Sequence, residues 1–138
     1  ETYYVGPTED PAALQLISRE NRGSGYSLSD YKQILEKIYV DARRDESRAL
    51  ARSTQAQLFR TLKERNAALE NRGIKTAPFA VLIGTEMPAI LVEVACLSNQ
   101  EEAELLTMED YRENIAMALA GGIRSYANTF NLSGRKGR

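Results

Sequence analysis

The chain of 138 residues contains no histidine, and this absence excludes several kinds of catalytic site. Histidine is the commonest general base near neutral pH and the commonest zinc ligand in proteins. A Ser-His-Asp or Cys-His site therefore cannot be built from these residues. Any metal or acid–base chemistry must use carboxylates, or must borrow groups from sequence outside this chain.

Cysteine is also scarce, since Cys96 is the only one. A single cysteine excludes an internal disulfide, which fits either a reducing compartment or a cysteine-poor exported protein. Cys96 lies in an apolar run, and no histidine is present to activate it. We therefore predict a buried structural thiol rather than a nucleophile.

The sequence has neither a long apolar run nor an excess of charge of one sign. No apolar stretch approaches the length of a membrane span. The 18 basic and 19 acidic residues give no electrostatic reason to expect a nucleic-acid partner. The length suffices for one domain with a sizeable core. Because the chain begins at Glu1 inside a predicted strand, without an initiator methionine or signal peptide, we expect a fragment of a longer protein.

One acidic residue, Glu93, interrupts the apolar run Ala89–Leu97. The run follows Pro88 and is rich in β-branched residues, which predicts a buried strand with Glu93 on the same face as Leu91. An unpaired carboxylate inside a protein costs several kcal/mol. We therefore expect Glu93 to be neutralised, paired or placed at a functional site. The alternative is a glutamate at a strand end that points into solvent.

The remaining pattern alternates strands and helices. Apolar runs predict strands at Glu1–Val5 and Phe79–Ile83, and helical spacing predicts helices at Asp10–Asn21, Asn99–Leu106 and Met108–Tyr126. The first helix is followed by a flexible break, Arg22–Gly25. Ser98 with Glu101 and Thr107 with Asp110 have the spacing of capping boxes. Small residues between Ala118 and Gly122 would allow a close approach of the last helix to the sheet.

A longer helical region is predicted from about Ser27 to the Asn71–Gly73 segment, where Gly73 would cap the helix. Its apolar stripe lapses over Asp41–Arg48, a run of mixed charge that is typical of a solvated helical surface. We expect one long helix that is bent or broken near Arg44–Asp45, although two separate helices would give the same pattern. The polar residues Asn131–Arg138 predict a disordered basic tail.

Four segments in this order resemble the C-terminal half of the zinc-dependent N-acetylmuramoyl-L-alanine amidases. They are Asn71–Leu82, Met87–Glu93, Leu97–Asn99 and Gly122–Tyr126, and the resemblance covers about residues 1–126. It implies an α/β fold: the C-terminal part of a twisted, mostly parallel sheet flanked by helices, with a helical insertion after the first strand. On this interpretation residues 1–130 form a partial catalytic domain and residues 131–138 the tail.

The resemblance also implies a reaction. Family members cleave the amide between N-acetylmuramic acid and the L-alanine of the stem peptide in peptidoglycan, which implies a periplasmic or cell-envelope location. They hold zinc with two histidines and a glutamate and use a second glutamate, matched here by Glu93, as general base. The ligands would lie upstream of residue 1, so this chain alone is expected neither to bind catalytic zinc nor to hydrolyse substrate. Ala95–Cys96 departs from the family's usual Gly and Phe, so the resemblance does not predict the pocket wall beside Glu93.

Residues of about Pro7–Arg52 are similar to the insertion of Gram-negative cell-separation amidases. In that subtype a helix covers the zinc site until an activator with a LytM-type domain binds. Ala12–Asn21 and Ser29–Ala42 are the candidates for such a lid and its support, with a hinge at Gly23–Gly25. Glu20 is the candidate to reach the zinc in a closed state, and the alternative is an ordinary surface glutamate.

A different class of function is also compatible with the sequence. The chain could be a non-catalytic helical interaction module, in which the insertion docks a partner and Glu93 is only a buried or edge carboxylate. The coding sequence upstream of Glu1 would discriminate, because an Asp-x-Gly-His strand end, a later Glu and a Ser-x-His strand would indicate the enzyme.

Overall fold

The computed structural model describes residues 1–25, 30 and 42–134. Its elements are β1 (Thr2–Tyr4), α1 (Pro11–Glu20), α2 (Ala42–Lys63), β2 (Ile74–Thr76), a 3-10 turn (Ala80–Leu82), β3 (Leu91–Val92), α3 (Gln100–Thr107) and α4 (Glu109–Gly134). Helices and a small sheet thus share one chain, and helical residues follow the first strand. The predicted α/β class is confirmed. None of the helices within these ranges combines the length and hydropathy that a membrane span requires.

The three described strands form a mixed sheet in the order β2-β1-β3. The central strand β1 runs parallel to β2, with Thr2 opposite Ile74, and antiparallel to β3, with Tyr3 opposite Leu91. One of these two pairings is therefore antiparallel, where the sequence predicted mostly parallel strands. The mixed pairing places the end of β3 beside the start of β1, where Glu93 lies.

The strand predicted over Ala89–Leu97 is shorter in the structure. Only Leu91–Val92 form a strand, and Glu93 after it pairs through its backbone with Glu1. The N–H of Cys96 donates to the carboxylate of Glu102 at 2.7 Å, which ties this segment to α3. Residues Ile90–Ala95 are consequently half-buried rather than buried on both faces.

The strand predicted at Phe79–Ile83 is wrong. The second strand is Ile74–Thr76, and residues 80–82 form a 3-10 turn closed by a bond from the N–H of Leu82 to the carbonyl of Phe79 at 3.0 Å. Pro78 has no N–H to donate to a sheet. A short apolar run does not distinguish a strand from another buried segment, and here the run supplies core residues to a turn.

One core cluster lies between α1, β1 and the 3-10 turn. It comprises Tyr3, Ala13, Ile17, Ala77, Phe79 and Leu82, all fully or almost fully buried. The rings of Tyr3 and Phe79 pack edge to face, with centroids 5.0 Å apart. Helix α1 begins as predicted, because the Asp10 carboxylate accepts the N–H of Ala12 at 2.9 Å and Pro11 occupies the first turn. The apolar side of α1 is thereby fixed against the sheet.

The second core cluster joins α2 to α4. It comprises Leu58, Leu62, Tyr111, Ile115 and Ala118. The small residues of α4 allow a close helix–helix approach, with Ser53 Oγ donating to the carbonyl of Gly122 at 2.8 Å. The prediction that these residues face the sheet is wrong at Gly122, which packs against Thr54 of α2.

This close approach predicts opposite outcomes for two adjacent glycines. A Cβ at Gly122 would lie 2.5 Å from the Thr54 Cα, and a backbone atom cannot move aside. Gly122→Ala is therefore expected to lower the free energy of unfolding by about 1–3 kcal/mol. At Gly121 the nearest atom is 3.3 Å away on the flexible Gln57 side chain, so Gly121→Ala should stay within about 1 kcal/mol of wild type. Urea unfolding of both variants checks this, and equal stabilities would contradict the packing.

Helix α2 ends earlier than predicted, at Lys63 rather than near Asn71. It includes both Arg44 and Asp45, and because residues 31–41 before it are not described, the bend or break predicted near this point stays a prediction. The Lys63 ammonium donates to the carbonyls of Ala67 and Leu69 at 2.7 and 2.8 Å, which stabilises the turn after the helix. Gly73 has a φ of +70° and precedes β2 instead of capping a helix. The predicted helical residues 27–41 lie outside the described residues, apart from residue 30.

The two C-terminal helices follow their predictions more closely. The N-cap of α3 is Asn99 rather than Ser98, since the Asn99 side chain accepts the N–H of Glu102 at 3.1 Å. Helix α4 continues to Gly134, beyond its predicted end at Tyr126, so residues 131–134 of the predicted disordered tail are helical. No glycine or proline occurs between Ile123 and Ser133 to end the helix earlier.

Candidate functional site

Glu93 lies at the end of β3, and both of its backbone polar groups pair with Glu1. Its N–H donates to the Glu1 carbonyl at 2.9 Å, and its carbonyl accepts from the Glu1 amino group at 3.1 Å. The backbone is therefore held against β1. The side chain is half-buried, and its carboxylate forms no hydrogen bond or ion pair with a described residue. Full burial was expected, but this face of the strand opens onto a cleft.

The surroundings of Glu93 oppose its ionisation. Burial raises the pKa of the Glu93 carboxyl above its ordinary 4.5, and the carboxylates of Glu20 and Glu1 raise it further. A carboxyl with a raised folded-state pKa stabilises the fold in its protonated form. That contribution is present below pH 4.5 and is lost as the pH rises through the folded-state pKa. An ionised Glu93 thus costs stability, as is typical of functional sites.

Glu93 faces a cleft of about 340 Å³. This volume lies in the usual range of small-molecule sites. Five carboxylates line it, those of Glu1, Glu70, Glu93, Glu101 and Glu102. The cleft is therefore acidic, which favours cations and repels anions over most of its surface.

Helix α1 forms one side of the cleft. Leu16 lines it, and Glu20 lies one turn further along the same helical face. Glu20 is exposed, yet its charge raises the pKa of Glu93. The structure therefore places Glu20 and Glu93, the two candidate residues predicted from the sequence, near enough for the charge of Glu20 to act on the carboxyl of Glu93.

Asn21 fastens the end of α1 to the core, a role that the sequence analysis missed. Its amide nitrogen donates to the carbonyl of Pro78 at 3.1 Å, and its amide oxygen accepts the N–H of Ala80 at 2.9 Å. The predicted hinge follows directly, with positive φ angles of +85° at Gly23 and +78° at Gly25. An asparagine between a helix end and a glycine-rich segment was the available signal.

The prediction of a buried thiol at Cys96 is wrong. Cys96 is exposed and lines the same cleft as Glu93. Its sulfur lies 3.1 Å from the hydroxyl oxygen of Ser98, and this hydrogen bond lowers the pKa of the thiol. The wall beside Glu93, which the resemblance did not predict, is thus formed partly by a polar thiol.

The cleft carboxylates do not form a metal site by themselves. Within the ranges that the structure describes, no three His, Cys, Asp or Glu side chains are grouped so that they could hold an ion. Glu1 is engaged by Lys75 at 2.8 Å and by the Tyr3 hydroxyl at 2.6 Å, and Glu102 accepts the N–H of Cys96. These residues therefore do not fit the two-histidine, one-glutamate zinc site that the resemblance implies.

One cation at the cleft was given no role by the sequence analysis. Arg72 is the only basic side chain among the described residues that line the cleft. It lies within the segment Asn71–Leu82 that carries the resemblance, but arginines are common at exposed positions and the spacing gave no signal.

Comparisons with known proteins agree with the resemblance. A sequence model of the N-acetylmuramoyl-L-alanine amidase family matches residues 2–125. The N-acetylmuramoyl-L-alanine amidase AmiA of Salmonella typhimurium is 30% identical over 122 residues, which are 86% of this chain and 42% of that protein. The amidase AmiC of Neisseria meningitidis is 46% identical over 56 residues, 41% of this chain and 14% of that protein.

A further relative is the uncharacterized protein YqiI of Bacillus subtilis, which is 35% identical over 82 residues, 59% of this chain and 37% of that protein. The chain spans less than half the length of each of these relatives. The family match nevertheless covers most of its 138 residues, including β1, every cleft-lining residue except Glu1, and most of α4. The chain belongs to the N-acetylmuramoyl-L-alanine amidase family.

Proposed function

We propose that this chain supplies the general base of a peptidoglycan hydrolase that cleaves the amide between N-acetylmuramic acid and L-alanine. The observation that carries the proposal is Glu93, a half-buried carboxylate that faces a cleft and has no polar partner among the described residues. The family match over residues 2–125 supports the same reaction. A peptidoglycan substrate would place the protein in the periplasm or elsewhere in the cell envelope.

The proposed reaction uses zinc as a cofactor, held by residues that are not among these 138. The described residues offer no ligand set for it, and the chain has no histidine. Bound in a complete domain, zinc would acidify a water molecule and polarise the amide carbonyl.

Glu93 has the properties required of a general base in amide hydrolysis. Its carboxylate would take a proton from water as the new C–O bond forms, and would pass that proton to the L-alanine nitrogen as the C–N bond breaks. A pKa raised by burial and by Glu20 brings this base closer to neutral pH, which strengthens it. Because only the ionised form accepts a proton, activity is expected to fall as the pH decreases through the folded-state pKa.

The proposed reaction can be tested on purified sacculi. The full-length protein should release fragments with new L-alanine amino termini, and a chelator should stop that release. The 138-residue chain alone should release none, since it lacks the metal ligands. Absence of new L-alanine termini with the full-length protein would contradict the proposal and favour the non-catalytic interaction module. Stoichiometric catalytic zinc in residues 1–138 alone would also contradict it.

We further propose that α1 acts as a lid that restrains Glu93 until an activator, such as a LytM-domain protein, binds. Leu16 on the cleft wall, and the position of Glu20 one turn further along the same face of α1, support this role for α1. The proposed support, residues 29–42, lies almost wholly outside the described residues.

Glu20→Ala in the full-length protein tests the lid. Removing the carboxylate is expected to raise the activity measured without activator by about fivefold or more, the lower end of typical coupling free energies. Glu9→Ala is the matched control, since Glu9 is exposed ahead of α1 and does not line the cleft. Unchanged basal hydrolysis of sacculi by Glu20→Ala would rule out the restraint.

A further inference from the structure

Arg72 is held at the rim of the cleft by the backbone on either side of it. The Asn71 side-chain oxygen accepts the N–H of Gly73 at 3.0 Å and the amide N–H of Gln55 at 2.8 Å. Gly73 has a φ of +70°, and its carbonyl accepts the N–H of Thr2 at 3.1 Å. The turn that carries Arg72 is therefore tied to both α2 and β1.

The network behind this turn is buried. Thr2 and Gln55 are almost fully buried, and the Thr2 hydroxyl donates to the Gln55 side-chain oxygen at 2.8 Å. The side-chain oxygen of Gln55 thus accepts from Thr2, and its side-chain nitrogen donates to Asn71. Because each buried polar group in this chain of bonds is satisfied, the backbone of Arg72 has a fixed position relative to Glu93.

The guanidinium of Arg72 is itself unengaged. Arg72 is exposed and forms no hydrogen bond or ion pair with a described residue. Other basic side chains near these elements are engaged, since Lys75 pairs with Glu1 and Asp10, and Arg65 pairs with Asp110. Arg72 is the one cationic side chain among the described residues that line the cleft, it forms no ion pair with the five carboxylates there, and it remains available to an anion that enters the cleft.

We infer that Arg72 selects substrates whose peptide carries a free carboxylate. The inference rests on the proposed function, which places a peptide in this cleft. The five cleft carboxylates repel an anionic group, and Arg72 carries the one cationic side chain among the described residues that line the cleft, so the guanidinium defines where a peptide carboxylate is accommodated. Its planar fork matches a carboxylate in two parallel hydrogen bonds, which a lysine cannot reproduce. Arg72 would thus orient the peptide, and with it the amide, relative to Glu93.

Two soluble probes that differ in one group test this inference. The first probe, N-acetylmuramoyl-L-alanyl-glycine, ends in a carboxylate. The second is the same compound with a neutral C-terminal amide in place of that carboxylate. Binding of each probe to the full-length protein is measured by calorimetry, and kcat and KM for hydrolysis are measured in parallel. The wild type should bind the acid roughly fivefold more tightly than the amide, as expected of one exposed ion pair. The preference should decline with added salt.

Arg72→Gln should abolish this preference by weakening binding of the acid probe, and raising its KM, to the values for the amide probe. Arg72→Lys should keep part of the preference for the acid probe, because lysine retains the positive charge but lacks the planar guanidinium that forms two parallel hydrogen bonds. Arg124→Gln is the matched control, since Arg124 is exposed on α4 and lies outside the cleft. A wild type that binds both probes equally, or an Arg72→Gln variant that keeps the preference, would overturn the inference alone. A wild type that neither binds nor cleaves either probe would overturn the proposed function and this inference with it.

Discussion

Replacing Glu93 with glutamine is expected to slow peptidoglycan amide hydrolysis by the full-length protein about 10²–10⁴-fold, the usual contribution of a positioned general base. Glutamine preserves the size of the side chain but cannot accept the proton from water. The measurement is the initial rate at which new L-alanine amino termini appear in purified sacculi.

The same substitution should leave the fold intact or slightly more stable near neutral pH. Glu93 is half-buried and has no partner among the described residues, and its pKa is raised by burial and by neighbouring carboxylates. Its ionised form therefore lowers the free energy of unfolding, and removing the charge removes this loss of stability. Glu64→Gln is the control for a lost surface carboxylate, because Glu64 is exposed and does not line the cleft. Hydrolysis at the wild-type rate by a folded Glu93→Gln protein would remove Glu93 from the reaction.

Phe79→Ala is expected to lower the free energy of unfolding by about 3–5 kcal/mol. Phe79 is fully buried and packs edge to face on Tyr3, so truncation leaves a cavity between α1, β1 and the 3-10 turn. A single domain is typically stable by only about 5–15 kcal/mol, so this loss is a large fraction of the total. Urea unfolding monitored by circular dichroism gives the value.

Val81→Ala provides the matched control on the same turn. Val81 is 69% exposed, so its truncation should change stability by less than about 0.5 kcal/mol. A loss below about 1 kcal/mol for Phe79→Ala, or equal losses for the two variants, would contradict the position of the 3-10 turn in the core.

Local signals in the sequence predicted part of this structure well. Asp10 and Pro11 located the start of α1 because capping is decided by neighbouring residues. The isolated acid in an apolar run singled out Glu93, because an unpaired charge is rarely tolerated in such a segment. Its backbone pairing with Glu1 joins residues that are 92 positions apart, and no local pattern encodes it.

The errors arose where contacts distant in sequence override local preference. The run Phe79–Ile83 has the composition of a strand, but Asn21 binds the backbone at Pro78 and Ala80 and fixes a turn there. Cys96 was expected to be buried, but it is exposed, and its N–H donates to Glu102 of α3. The orientation of Arg72 depends likewise on Gln55 and Thr2, which lie in other elements.

The pKa of Glu93 is the most direct test of the arrangement on which the proposed mechanism depends. Carboxyl ¹³C NMR of the 138-residue chain, titrated from pH 2 to 8 with Glu93 assigned through Glu93→Gln, reports it for a single residue. A partly buried, unpaired acid facing the cleft is predicted to titrate above 4.5. A value at or below 4.5 would show a solvated or ion-paired carboxyl and would contradict the site described for Glu93.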